Sequence, residues 1–503
     1  MVSSKLDKTI TVRLKRSRKV WIIYSVAASI GIVILPLLLG QFGYDLTQSV
    51  LAILLLCVCA YPTARYFANS ETGVPVFAVL CLSYGFQFAL PIFINEASMH
   101  LIDGVEYLST EDVNAALLLS VLGTGALQVG YYSLRAQLFA KVIPSIDLHL
   151  DEKRAVIYCI TIGVLFPLLM KLTSALPEQV FTQASAIITL LLNQVLVAIG
   201  IMGWIVYSGR GNKWHKVILY GIVAIATIEG VATGLLEQAI LPMAVLFMTE
   251  WMYRKRIPYR KIILAVLIFF FLSPVKISYR EKYWYDNDTT SVSTAQKTLD
   301  LIGSATSYWG DTLSGNQDLT RSTSEALYRT DLIHQFAYIY SQTPSMIPYQ
   351  YGGTYSYFAV ALIPRILWPN KPEAGAANKY YAVSYRITTE EGAKKTSFGM
   401  SILAEGFINF GIAGVILVMV LQGVILSLLQ KVFAGDRSGP GANAVFIAFF
   451  AYFLNGIGSS AEIMFGNIVQ FLICSCALLW WARKRRSSVR HFGNLSLPHS
   501  TRA

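Results

Sequence analysis

Apolar residues recur along most of this chain in runs of about 20, the length an α-helix needs to cross a bilayer. The runs predict about twelve spans, near residues 20–41, 48–64, 74–95, 113–133, 155–173 and 184–207, then 217–234, 238–253, 261–278, 402–430, 443–459 and 462–482. One long polar stretch interrupts them, between residues 276 and 400. The chain thus divides into a helical part over 1–275, a large loop over 276–400, three further helices over 401–482 and a basic tail over 483–503. The predicted fold class is an all-α polytopic membrane protein whose chemistry sits in the one large loop.

Composition agrees with this pattern: 54% of the residues are hydrophobic and only 14% charged, far from a soluble domain. The net charge of +12 would suit nucleic acid, but its distribution argues otherwise. Lys and Arg crowd the N-terminus from Lys5 to Lys19 and then every second loop: Arg65, Arg135 to Arg154, Arg210 to Lys216, Arg254 to Lys261, Lys431 and Arg437, and Arg483 to Arg486. The loops between carry acidic or neutral residues such as Glu96, Asp103 and Glu111. That alternation is the positive-inside signature, so both termini are expected in the cytoplasm and the long loop outside. No nucleic-acid partner is expected. The first apolar run is too long for a signal-peptide core and is read as an uncleaved span. All six cysteines lie in apolar runs, so the loop is expected to hold neither a disulfide framework nor a Cys-based metal site.

Several loop residues are candidates for chemistry. Arg280 lies four residues after Lys276, beyond the ninth span, where insertion demands no positive charge; an aromatic-belt anchor is the alternative. Ser322 to Glu325 spells a capping box opening a helix that ends before Pro344. On that helix Arg329 joins the apolar stripe of Ile333, Phe336 and Tyr340, a position that needs an anionic partner. His334 lies three residues after Asp331, close enough for the carboxylate to orient the ring. Gly352-Gly353 then breaks the chain before an aromatic segment with Tyr355, Tyr357 and Trp368, expected to lie on the outer bilayer surface. Arg365 sits there between Pro364 and Pro369, a rigid mount for a guanidinium whose planar fork suits phosphate oxygens. Finally, the apolar run from Gly399 is longer than one span needs. Gly399, Gly406, Gly411 and Gly414 predict a half-helix to about Phe410 and then a full span, with Glu405 as an intramembrane carboxylate.

The loop segment YGGTYSYFAVALIPRILWPNKP followed by SFGMSILAEGFINFGIAG resembles the Wzy-type oligosaccharide repeat-unit polymerases of bacterial O-antigen and exopolysaccharide synthesis. The resemblance rests on Ile363-Pro364-Arg365, Trp368-Pro369 and Lys371-Pro372, then Glu405 with Asn409-Phe410-Gly411, and covers the second half of the chain. It implies a GT-C-like glycosyltransferase of the bacterial inner membrane, using undecaprenyl-diphosphate-linked oligosaccharides and requiring no further cofactor. Membrane lipids and a chain-length regulator are the other partners it implies. By position, Arg280, Arg329, Arg365 and Glu405 match places where that family carries Arg and Glu. Relatives often carry an Arg in the turn between the seventh and eighth spans, where this chain has Gly234-Leu235-Leu236-Glu237.

The chemistry of such a transfer fits these side chains. A diphosphate leaving group needs fixed cations, a role open to Arg365, Arg329 and Arg280. An acceptor hydroxyl needs a base, with Glu405 and His334 as candidates. Tyr355 and Trp368 suit stacking on sugar rings. No Asp-x-Asp pair suggests a metal site, so metal-independent catalysis is expected. An O-antigen ligase, differing in acceptor, and a non-enzymatic glycolipid transporter or flippase remain the alternatives; a transporter would place its polar residues in broken helices at mid-membrane.

Overall fold

The computed structural model describes residue 24 and residues 45–68, 74–93, 108–133, 138, 142–175, 187–284, 292–314, 331–361, 368, 375–395, 398–435 and 438–484. Among them no β-strand forms, and the chain runs as α-helices. The first half holds α1 (Leu46–Ala68), α2 (Val76–Phe88), α3 (Thr110–Tyr132), α4 (Glu152–Ala175), α5 (Gln194–Tyr207), α6 (Lys213–Ala232), α7 (Leu236–Arg254) and α8 (Tyr259–Leu272). The loop contributes α9 (Lys276–Trp284), α10 (Thr294–Leu313), α11 (Ile333–Gln342), α12 (Gly353–Ala361), α13 (Ala376–Ser384) and α14 (Glu390–Lys395). The chain closes with α15 (Ile402–Ala434), α16 (Pro440–Asn455) and α17 (Ala461–Trp481).

Among the described residues, seven helices are long and apolar enough to cross a membrane: α1, α3, Glu152–Leu172 of α4, Ile187–Tyr207 ending in α5, α6, α15 and α17. The chain is therefore an all-α protein of multi-pass membrane type. Apart from Tyr24, the expected span at 20–41 lies outside the described residues, as does the capping box at 322–325. The expected ninth span over 261–278 is not one helix. It stops at Leu272, where Pro274 has no N–H for the carbonyl four residues back and its ring crowds that carbonyl, and restarts as α9 at Lys276.

Packing centres on α5, every residue of which is buried, as an all-apolar helix inside a bundle should be. α4, α6, α7 and α16 surround it. A second pair, α3 and α15, packs backbone to backbone. A Cβ added at Gly130 would lie 2.1 Å from the Val420 carbonyl oxygen, and one at Gly423 2.2 Å from that of Leu127, so only glycine allows this approach. Tyr131 and Gln430 then hydrogen-bond across the same seam.

The basic helix ends gather at one end of the bundle. Arg154 donates to the carbonyl of Trp481, Lys484 N donates to His149 O, and Ile146 N donates to Val432 O. Nearby, Arg65 lies over the ring of Tyr132 at 4.0 Å. Buried Glu250 accepts from Arg254 at 2.7 Å and from Lys261 at 2.6 Å. The turns between α6 and α7 and between α16 and α17, with helices α11 to α13, belong to the opposite end.

Candidate functional site

The expected break in the run after Gly399 is present. Ser401 caps α15, its hydroxyl accepting from Ala404 N. The helix is interrupted at Phe410 (φ −141°, ψ 21°) and Gly411 (φ 59°, ψ −142°). Gly411 is required here because L side chains rarely adopt its positive φ. A Cβ on Gly414 would fall 2.0 Å from the carbonyl oxygen of Gly406. In an unbroken helix eight residues rise about 12 Å, so the half-helix is folded back onto the span that follows it.

Such a break leaves the last carbonyls of the half-helix without partners. The turn before α12 supplies them: Gln350 N donates to Ile408 O at 3.0 Å and Tyr351 N to Asn409 O at 3.1 Å. Gly352, at φ +93°, turns the chain into α12 and donates its N–H to Asn409 Oδ1 at 2.9 Å. This docking fixes where α12 starts and which of its residues point inward.

Glu405 and Asn409, four residues apart, share one face of the half-helix and are both fully buried. The Thr354 hydroxyl of α12 donates to Glu405 Oε1 at 2.7 Å and accepts from Asn409 Nδ2 at 2.7 Å. Asn409 Nδ2 also donates to the carbonyl of Glu405 at 2.8 Å. The other carboxylate oxygen, Oε2, accepts from Ala461 N at 2.6 Å, in the first turn of α17. A carboxylate at a helix N-terminus is favoured by the helix dipole and by the free N–H groups there. Glu405 therefore joins three elements: half-helix, α12 and α17.

The first turn of α17 carries a second buried carboxylate. Glu462 accepts from Gly375 N at 3.0 Å and Ala377 N at 3.4 Å, capping α13. In return, Asn378 of α13 accepts from Ser460 N at 3.1 Å, just before α17. Two helices thus cap each other with their side chains. The same turn walls a cavity of about 440 Å³: Ser459, Ile463 and Met464 line it together with Asn193, Gln238 and Leu241. Its walls are mostly apolar, and it lies at the same end of the bundle as the Glu405 cluster.

Tyr355 is half-buried beside Glu405 and Asn409; desolvation first, and then the neighbouring carboxylate, push its phenol up from the usual range. His334 and Asp331 touch as expected, with Nδ1 2.6 Å from the carboxylate and His334 N donating to its other oxygen at 3.2 Å. Both are buried, Asp331 just before and His334 in the first turn of α11, which packs against α3 and α15. Among the described residues no hydrogen bond or ion pair joins His334 to Glu405. Phe336 and Tyr340 instead pack on Phe407, the residue two after Glu405.

Arg280 lies apart from this cluster among the described contacts. Its Nε donates to Gly234 O at 2.9 Å, which places the side chain on the glycine turn between α6 and α7. Trp368 is 41% exposed. Arg329 and Arg365 lie outside the described residues. Of the aromatic segment expected on the bilayer surface, the described helix α12 packs against α13, α15 and α17, with Thr354 buried.

Thr354, Asn378, Glu462 and the cavity residues Asn193 and Gln238 were not singled out from the sequence. Asn409 had a readable signal, its spacing of four from Glu405. Glu462 had one too, a lone carboxylate at the start of an apolar run.

No curated protein and no solved structure matches this chain. A family model described as a domain of unknown function, DUF8712, matches residues 114–487. That range takes in α3 to α17 and the whole Glu405 cluster, so the chain belongs to the DUF8712 family.

Proposed function

We propose that this protein polymerises lipid-linked oligosaccharide repeat units, transferring a glycan from a polyprenyl-diphosphate carrier to the next unit at the outer face of a bacterial inner membrane. The observation that carries the reading is the shared wall at the first turn of α17. One side of it holds Glu405 and Glu462, and the other faces an apolar cavity of about 440 Å³. An enzyme acting on a lipid-bound sugar needs apolar and polar surfaces side by side, away from the basic cytoplasmic face. The sequence resemblance, Ile363 to Pro372 and Glu405 to Gly411, supplies the reaction class. In this arrangement Glu405 is fully buried and each of its oxygens accepts one hydrogen bond, so it serves as a base only after Thr354 gives way and opens a path to it. In the arrangement observed, Glu405 holds α12 and the half-helix in place. The reaction is metal-independent and is carried by Arg365, Arg329 and Arg280 on the diphosphate, with His334 the second candidate base.

One feature favours a second reading, a glycolipid transporter: a broken helix with a buried carboxylate is the way transporters build sites within the membrane. The two readings separate in cells deprived of the protein. Loss of a polymerase leaves single repeat units on lipid at the outer leaflet, whereas loss of a transporter leaves them at the inner leaflet. Single units trapped inside would sink the polymerase reading.

A further inference from the structure

Helix α10 sits in the polar loop by sequence, yet its surface divides into three sectors. One faces the bundle: Leu301, Ala305 and Thr312 are buried. A second is polar, with Lys297, Asp300, Ser304, Ser307 and Asp311 following one another at spacings of three and four and Gln296 at its edge. Asp300 accepts there from Lys282 at 3.1 Å and from Tyr283 of α9. The third is apolar and uncovered: Leu299 is 63% exposed, Ile302 43% and Leu313 86%. Gly303 and Gly310 lie in the same sector, and a Cβ at either would meet nothing within 4 Å.

The contacts at its two ends fix its depth. Near its start, Thr294 donates to Glu229 of α6 at 3.4 Å. Glu229 is sixteen residues beyond Lys213, which begins α6 at the basic end, so it stands about 24 Å above that end. Near its finish, the Trp309 indole N–H donates to Phe271 O of α8 at 2.9 Å. Phe271 is twelve residues beyond Tyr259, the first residue of α8, or about 18 Å above the basic end. The hydrocarbon layer is about 30 Å thick, so its midplane lies about 15 Å above the basic ends, and an ordinary helix tilt of about 20° lowers the two heights only to about 23 and about 17 Å. Both ends of α10 therefore fall within the leaflet opposite the basic ends. Its uncovered apolar sector continues the exposed face of α8, where Ile263, Leu264, Val266 and Leu267 are each more than half exposed.

We infer that α10 is an in-plane membrane helix whose Leu299–Ile302–Leu313 sector is covered by lipid acyl chains of the leaflet opposite the basic ends. Its polar sector turns to the headgroups and α9. Small Gly303, Thr306 and Gly310 leave room for chains between the larger side chains. The polar loop is thus anchored in the bilayer at its second helix, upstream of the segment docked on Glu405.

The test places a benzophenone amino acid singly at Leu299, Ile302 and Leu313, and at Gln296, Ser304 and Asp311, in the full-length protein in native membranes. All six positions are on the helix surface, so folding is monitored by membrane yield alone. After irradiation, mass spectrometry should find phospholipid adducts through the acyl chain at the first three positions and none at the second three. Adducts equal in the two sectors, none in the apolar one, or crosslinks from it to another polypeptide (a second copy included) would overturn the inference.

Discussion

Thr354 stands between two buried groups, donating to Glu405 and accepting from Asn409. Thr354→Val keeps the shape and removes the hydroxyl, leaving both partners unsatisfied at a cost of about 1–3 kcal/mol each. A lower thermal midpoint in detergent is expected, with Thr354→Ser restoring it; an unchanged midpoint for Val would mean that the cluster holds nothing together. Arg365 calls for a different experiment, since the proposal rests on its planar fork. Arg365→Lys keeps the charge and loses the bidentate geometry. Loss of a leaving-group stabiliser costs on the order of 10²–10³ in rate, so cells with this variant should accumulate single repeat units. Polymer of normal length and amount would refute the bidentate role.

At the scale of elements, the half-helix before Gly411 was legible because glycines and an overlong apolar run are local signals. Its folding back was not, because that depends on Gly406 and Gly414 meeting in space. The Asp331–His334 contact was legible from a spacing of three, whereas the mutual capping of α13 and α17 joins residues more than eighty apart. No local pattern announces that. The ninth span failed as a single helix for a readable reason, Pro274, outweighed at first by the apolar run around it. Gly411→Ala tests the break directly. Holding alanine at φ 59°, ψ −142° costs about 1–3 kcal/mol. The added methyl would also press on Tyr349, whose hydroxyl oxygen would stand 3.0 Å away. The variant should be less stable in thermal unfolding; equal stability would mean that the break is not the rest state of α15.

For the whole molecule, the alternation of basic loops and the gathering of those helix ends in space point the same way. Arg154 meets Trp481, Lys484 meets His149, and Glu250 pairs Arg254 with Lys261, all at one end. The Glu405 cluster, the cavity and α10 occupy the other. A periplasm-active reporter fused near Asn316 should therefore be active and one near Lys255 silent, and the reverse would place the proposed site on the wrong side of the membrane. The central claim is covalent chain growth, and it is tested most directly by purified protein in vesicles given a polyprenyl-diphosphate-linked oligosaccharide as the only substrate. Lipid-linked products at successive multiples of the repeat unit, with free polyprenyl diphosphate released alongside, are the expected result. Substrate recovered intact, with or without movement across the bilayer, would contradict the account.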